Sequence, residues 1–380
     1  MTVEATIIQH ARPNEFEIDL TAIAGFTRHL RQHVGADVRL FATLKCNAYG
    51  FGLIPVARTV LGAGADALSM VDQGDAIRLR EAGLTAPILV YPGAIIEERY
   101  VRAAEKYDLI STITSLAAAE EFSRHARQPL QVAVKLDVGQ ERLGILAEEA
   151  PSALLAISQM PNIRIQVINA HPNVPASCSI EYLEWQLGRF EKACKAAEAA
   201  GIHIPIRMLA SSKILSMTNR LVLNAVDPGQ MYFGPLQVAG DVPWPTNRQA
   251  FKKLKTRVIH IRALDRSAFQ EMAPFPSRPG MKMGIVPIGS ADGAAQLHCG
   301  EVLVRGRRAK VIGKPSLEHM RIDLSEIPES EVGDEVVIIG QQQGATISPE
   351  EVVAFQGHVR VADLAIAVRP QIPRVYVNGR

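Results

Sequence analysis

The chain has 380 residues, 47 % of them hydrophobic and 21 % charged, with a formal net charge of +2. So even a balance carries no broad basic footprint and excludes nucleic acid as an expected partner. No window reaches the roughly 18 consecutive apolar residues that a membrane span needs, so no membrane partner is expected either.

In chain order, the opening residues, EATIIQHAR from Glu4 on, read as an edge strand (1–10) that joins a later β domain, and no signal peptide is read in the first twenty residues. Between about residues 38 and 235 the text alternates. Eight short β-branched runs stand out: VRLFATLK, DALSMV, APILVY, DLISTIT, LQVAVKLD, IRIQVINAH, IPIRMLAS and LNAVDPGQMYF. Helical stretches separate them. In Ile180–Gly201 the residues Leu183, Leu187, Phe190, Ala193, Cys194 and Ala197 recur at helical spacing, and Gly201 ends the helix. Strands alternating with helices pair in parallel, and eight such units predict a closed (β/α)8 barrel. A doubly wound open sheet is the alternative.

After Pro235 the texture changes. TRVIHIRAL, MKMGIVPIG, GEVLVRG, RAKVIG, MRIDLS, DEVVIIG and PRVYV are short strands set apart by glycine and proline, a mostly antiparallel β domain. RGRRAK reads as a solvated turn, and the proline-rich Arg266–Met281 as a loop. The expected division is a barrel over 11–238 and a β domain over 239–380, with the edge strand from 1–10. The cysteines Cys46, Cys178, Cys194 and Cys299 have no C-x-x-C spacing, so no structural metal or disulfide framework is expected and a reducing cytoplasm fits.

In a parallel barrel, functional groups come from the C-terminal ends of the strands. The first end carries Lys45, Asn47 and Tyr49, the fifth Lys135, Asp137 and Arg142, and the sixth His171. The seventh carries Ser211 and Ser212, and the eighth Asp227, Gly229 and Tyr232. This set suits an organic phosphate with an aldehyde. Lys45 supplies an amine, Tyr49 and Ser212 hydroxyls, Gly229–Gln230 backbone amides, and Arg142 a planar fork for a carboxylate or phenolate. Each residue also has an ordinary reading. A lysine ends many strands, a serine pair caps helices, DPG makes a turn, and Lys135 with Asp137 makes a rim ion pair.

LKCNAYGFG resembles the lysine motif of the alanine racemase family, fold type III of the pyridoxal-phosphate enzymes. EIDLTAI, KLDVGQERLG, VPIGSADG, GEVLVRGRRAKVIG, IDLSEIP, VGDEVVIIG and IPRVYV follow in family order. The resemblance implies a barrel that carries pyridoxal 5′-phosphate and a head-to-tail homodimer whose active sites are completed by the partner's β domain. It implies that Lys45 bears the cofactor and acts as an acid/base. Tyr49, Ser212, Gly229 and Gln230 would hold the phosphate. Arg142 would approach the ring oxygen and the substrate carboxylate, His171 would lie beside the ring, and Lys135 matches a lysine that is carbamylated in many members.

The departures shape the rest of the expectation. No tyrosine lies between Tyr232 and Tyr376, so the family's second base is absent as tyrosine, and an ungapped count places Glu271 there. Asp227 stands where the family has an arginine against the ring nitrogen, and Met208 where a histidine supports that arginine. Ser290 and Pro370 replace tyrosines, and Leu317 and Glu318 replace a Met-Asp pair that contacts the substrate carboxylate. The expected function is a racemase- or epimerase-like enzyme acting at the α-carbon of an amino acid. The alternatives are a decarboxylating, β-eliminating, aldol-cleaving or replacement enzyme working through an Asp227-supported quinonoid, and a non-catalytic protein that binds pyridoxal phosphate.

Overall fold

The computed structural model describes residues 12–234, 249–264, 275 and 277–377. The edge strand expected at 1–10 and Glu271 lie outside the described residues, as does most of the proline-rich loop around Glu271.

The chain forms two units. One comprises Ala22–Ala48 and Leu53–Arg248, the other Met1–Thr21, Tyr49–Gly52 and Gln249–Arg380. In the first, all eight expected strands are present: Arg39–Thr43, Ala67–Met70, Ile88–Val90, Ile110–Ile113, Leu130–Asp137, Ile163–Ala170, Ile206–Ala210 and Ala225–Val226. Each pairs in parallel with the next, and the eighth returns to the first through Ala225↔Arg39 and Val226↔Leu40. The sheet is therefore a closed barrel, which rules out the open doubly wound alternative. A short strand not read from the sequence, Ile145–Leu146, lies beside the fifth barrel strand.

Side chains on a strand alternate, so every second residue faces the barrel interior. Phe41, Ala67, Leu89, Ile110, Ala133, Val167, Ile206, Met208 and Ala225 form its apolar floor. Two residues further along seven of the eight strands the same face carries Thr43, Ser69, Tyr91, Thr112, Lys135, Asn169 and Asp227, while the seventh strand continues apolar with Met208 and Ala210. A polar layer thus lies on an apolar one, at the end where the strands finish.

The helices follow from caps and stripes. In Ile180–Ala199 the Ser179 hydroxyl accepts the Tyr182 N–H at 3.2 Å, and Leu183, Phe190, Ala193, Cys194 and Ala197 are buried. Leu187, expected on that face, is only partly buried, and Gln186 takes the buried place. Its amide accepts from Asn173 N at 2.7 Å and donates to Asn173 O at 3.0 Å, which satisfies both ends of a buried polar group.

In the second unit the main sheet runs Arg307–Lys310, Glu301–Val304, Glu335–Gln342, Phe251–Arg257, Glu15–Asp19, Arg374–Val377, with Ala345–Ile347 beside Glu335–Gln342. Most of its pairs are antiparallel. The strand from the amino-terminal region that joins it is Glu15–Asp19, and it lies inside the sheet. Phe16 and Ile18 are buried on one face, and Lys255 pairs with Glu15 and Glu17 on the other.

A second sheet holds His260–Leu264, Met281–Val286 and Met320–Asp323. TRVIHIRAL is therefore two strands in two sheets. The break falls at Val258, whose N–H donates to Asp334 O, and Ile259, whose N–H donates to Ile285 O, both at 2.9 Å. RGRRAK is a turn only at Arg305 and Gly306, both left-handed, and Arg307–Lys310 is a strand.

Candidate active site

The lysine motif adopts an uncommon backbone. The first barrel strand ends at Thr43, Leu44 is buried, and Cys46, Asn47, Ala48 and Tyr49 all have φ of 54–55°. A left-handed turn of residues with side chains costs about 1–2 kcal/mol per residue. Local bonds hold it: Ala48 N–H donates to Leu44 O at 3.0 Å, and Asn47 Oδ1 accepts Leu53 N–H at 2.9 Å where helix Leu53–Gly62 begins. The glycines that follow are required. At Gly50 a Cβ would stand 2.1 Å from the Ala365 carbonyl oxygen, and at Gly52 1.9 Å from the Tyr376 hydroxyl. Tyr49 is buried. Lys45, the first residue after Leu44, opens this turn and is exposed.

Across the mouth, two side chains hold Asp227, and a third supports one of them. Tyr91 donates its hydroxyl to Asp227 Oδ2 at 2.5 Å, Thr43 Oγ1 donates to the Asp227 carbonyl at 3.0 Å, and Thr43 and Ser69 share a 2.8 Å hydroxyl contact. Asp227 as a residue is only partly buried, yet its Oδ1 is enclosed and has no hydrogen-bond partner among the described residues. Burial pushes the carboxyl up to about 6, against the pull of Tyr91, Lys135 and Lys45.

Lys135 is buried, and that burial lowers its ammonium; the Arg142 charge lowers it further, while Asp227 and Asp137 oppose the shift. The ordinary reading of Lys135 and Asp137 as a rim ion pair is not what the structure shows. Asp137 instead accepts four backbone N–H groups, from Gly139 and Gln140 at 2.9 Å, Glu141 at 3.2 Å and Arg142 at 3.0 Å. Burial alone would raise its carboxyl; the four bonds outweigh that and lower it. Asp137 therefore shapes the loop that carries the exposed Arg142. Burial brings His171 down to about 4, helped by the cations Lys135, Arg142 and Lys45, so its ring is neutral near pH 7.

Ser212 is buried, and its Oγ accepts Gly229 N–H at 2.7 Å and Met231 N–H at 3.5 Å. The structure brings Ser212 and Gly229 together as expected, but the Gly229 amide is already engaged, which leaves the Ser212 proton as the available donor. Gln230 opens the short turn Gln230–Tyr232. Ser211 makes no side-chain cap bond.

In the second unit Leu317 is 71 % exposed, and its carbonyl accepts Ala291 N–H at 3.0 Å. Glu318 meets Arg12 at 2.7 Å and Arg369 at 3.7 Å, and the same two arginines reach the buried Asp292 at 3.0 and 3.5 Å. Glu318 is therefore part of a four-residue charge network. Sequence reasoning missed that network and Tyr91; the one signal for Tyr91 was its place two residues beyond an inward-facing leucine.

Residues 18–237 match the family described as alanine racemase, N-terminal domain, and residues 252–376 match alanine racemase, C-terminal domain. The chain belongs to the alanine racemase family. It is 30 % identical over 368 residues to an alanine racemase of Methanococcus maripaludis, covering 95 % of this chain and 98 % of that one. It is 29 % identical over 373 residues to one of Halothermothrix orenii, with 97 % of each covered. A solved alanine racemase from Bacillus anthracis with bound L-Ala-P superposes with a TM-score of 0.85 at 26 % identity, covering 97 % of this chain and 95 % of that one. The family fold, a parallel barrel and a mostly antiparallel β domain, is the fold seen here. Among the described residues no group of three or more His, Cys, Asp or Glu side chains could hold a metal ion, and no helix is long and apolar enough to cross a membrane.

Proposed function

We propose that the chain is a pyridoxal-phosphate-dependent amino-acid racemase acting at the α-carbon, with alanine as the first substrate to test. The observation that carries this reading is the match to named alanine racemases over nearly the whole chain, with the motif lysine at the barrel mouth. The decarboxylating, eliminating, aldol-cleaving, replacement and non-catalytic alternatives find no support among these relatives.

The residues fit the cofactor. Asp227 Oδ1 is an enclosed acceptor that lacks a donor among the described residues, and a protonated pyridine nitrogen is such a donor. Lys45 supplies the amine, and its charge acts on Asp227 and His171 across the mouth. When bound, pyridoxal phosphate supplies an aldehyde for amines and a ring that takes up electron density released at the α-carbon.

Racemisation needs a proton to leave one face of that carbon and another to arrive on the opposite face. Lys45 serves one face. Glu271, read from the sequence alone, is the candidate for the other. Tyr49, the Ser212 hydroxyl and the backbone at Gln230 hold the phosphate, with Gly229, whose N–H is bound by Ser212, orienting that hydroxyl rather than donating itself. Arg142 binds the ring oxygen and the substrate carboxylate, with Lys135 beside it as a site of carbamylation. His171 presents a neutral ring edge, which adds no charge beside the reacting centre. Leu317 and Glu318 contact substrate from the partner subunit of a head-to-tail homodimer, in the cytoplasm. In this reading Ala22–Ala48 and Leu53–Arg248 form the cofactor domain, and the unit with Gln249–Arg380, which also takes in Glu15–Asp19 and Tyr49–Gly52, is the completing domain; the expected barrel bounds of 11–238 therefore shift at the start of the chain.

The test is chiral chromatography of D- and L-alanine incubated with the protein and pyridoxal phosphate. Interconversion is expected, with the visible cofactor band lost in Lys45→Ala and activity down on the order of a thousandfold or more. Release of carbon dioxide or ammonia without interconversion would replace this reading with one of the alternatives.

A further inference from the structure

The third barrel strand, Ile88–Val90, stops one residue before Tyr91, and strand alternation carries the Tyr91 ring inward above the apolar floor. Its hydroxyl lies 2.5 Å from Asp227 Oδ2, at the short, charge-assisted end of O–H···O distances. Burial, and then the Asp227 charge, raise the phenol well above its usual range, so it keeps its proton and acts as a donor. The Asp227 main chain is pinned by Thr43, which touches Ser69. One carboxylate oxygen is therefore bound and the backbone is fixed, while the enclosed Oδ1 is unmatched among the described residues.

We propose that Tyr91 is the positioning residue of Asp227: by occupying Oδ2 it fixes the carboxylate's rotation and reserves Oδ1 for the ring nitrogen of the cofactor. The proposal rests on the pyridoxal-phosphate reading above. The charged and titratable groups that act on this carboxylate are Lys135 on the fifth strand, Lys45 just after the first, and Tyr91 itself; Tyr232 also feels its charge. The two lysines favour the charged form whether or not Tyr91 is present. The distinct effect of Tyr91 is to select the oxygen and add one strong hydrogen bond.

The experiment labels aspartate carboxyls isotopically and follows the Asp227 resonance by NMR against pH, with and without pyridoxal phosphate. Its loss in Asp227→Asn assigns it. Tyr91→Phe keeps the ring and removes the donor. The Asp227 midpoint is expected to rise by about one pH unit, and the cofactor dissociation constant by about tenfold. The affinity loss should vanish in the Asp227→Asn background. Incorporating 3-fluorotyrosine at position 91, a stronger donor, should move the midpoint the opposite way, and it decides the matter alone if Tyr91→Phe does not fold.

An unmoved midpoint, or an equal loss of affinity in the Asp227→Asn background, overturns the proposal and leaves Tyr91 as packing. Failure of the wild type to take up pyridoxal phosphate is a different result. It sinks the cofactor reading and with it the role of Oδ1, whereas an unmoved midpoint in a protein that does bind sinks this proposal alone.

Discussion

An aspartate enclosed at a barrel mouth holds its proton more tightly than the same aspartate in an unfolded chain. For Asp227 the rise is from 3.8 to about 6. The stabilising contribution of that proton is complete below about pH 3.8, is lost as pH climbs to about 6, and stays lost above. The full effect would be about 3 kcal/mol, nearer 2 for a residue that keeps some access to water. Asp227→Asn cannot ionise and still offers Tyr91 an acceptor. It should therefore raise stability by about 2 kcal/mol at pH 8 and by almost nothing at pH 4, as read by thermal melts at both. His171 has the opposite sign. Its folded value near 4 lies below the ordinary 6.5, so the unfolded chain takes the proton first and stability falls as pH drops through that window. His171→Asn should flatten this acid loss by about 1–2 kcal/mol. At this scale Lys45, His171 and Ser212 were legible because their positions follow strand ends. Tyr91 was not, because its partner is 136 residues away and nothing local marks the pair.

Among the elements, strand and helix positions in the barrel were readable from apolar periodicity, and the turn after Lys45 only in part. Its glycines were visible; the left-handed run before them was not, since cysteine, alanine and tyrosine rarely adopt that conformation. Two substitutions probe it. Ala48→Gly should stabilise the protein by about 1 kcal/mol in denaturant unfolding, because glycine relieves the positive φ. Gly50→Ala should destabilise by about 2–4 kcal/mol, because its Cβ has no room beside Ala365. A neutral Gly50→Ala would show that the Ala365 carbonyl can yield. The break inside TRVIHIRAL was hidden for another reason. Alternation tells which face a side chain takes, not which sheet supplies the next hydrogen bond, and the change of sheet needs no special residue.

For the whole molecule, barrel closure was legible because eight βα units leave few other arrangements. The composition of the other sheet was less so. Its member from the start of the chain is Glu15–Asp19, where only Phe16 and Ile18 carry the apolar signal. Too few residues alternate there to separate a strand from the approach to helix Leu20–Val34. If the proposed shared active sites exist, sedimentation in the presence of pyridoxal phosphate should give twice the chain mass, and activity per chain should fall on dilution as the dimer dissociates. Full specific activity from a monomeric species would dismiss shared sites.

Glu15–Asp19 lies in parallel beside Arg374–Val377, so the first strand among the described residues is matched with the last of them. Every residue between these two strands must be made, on the order of tens of seconds at ordinary elongation rates, before that sheet has all its described members. The barrel's pairings are far closer in sequence, apart from the join of first to eighth. Ribosome-bound chains stalled before residue 374 should thus protect barrel amides from exchange while Phe16 and Ile18 stay accessible to chaperones.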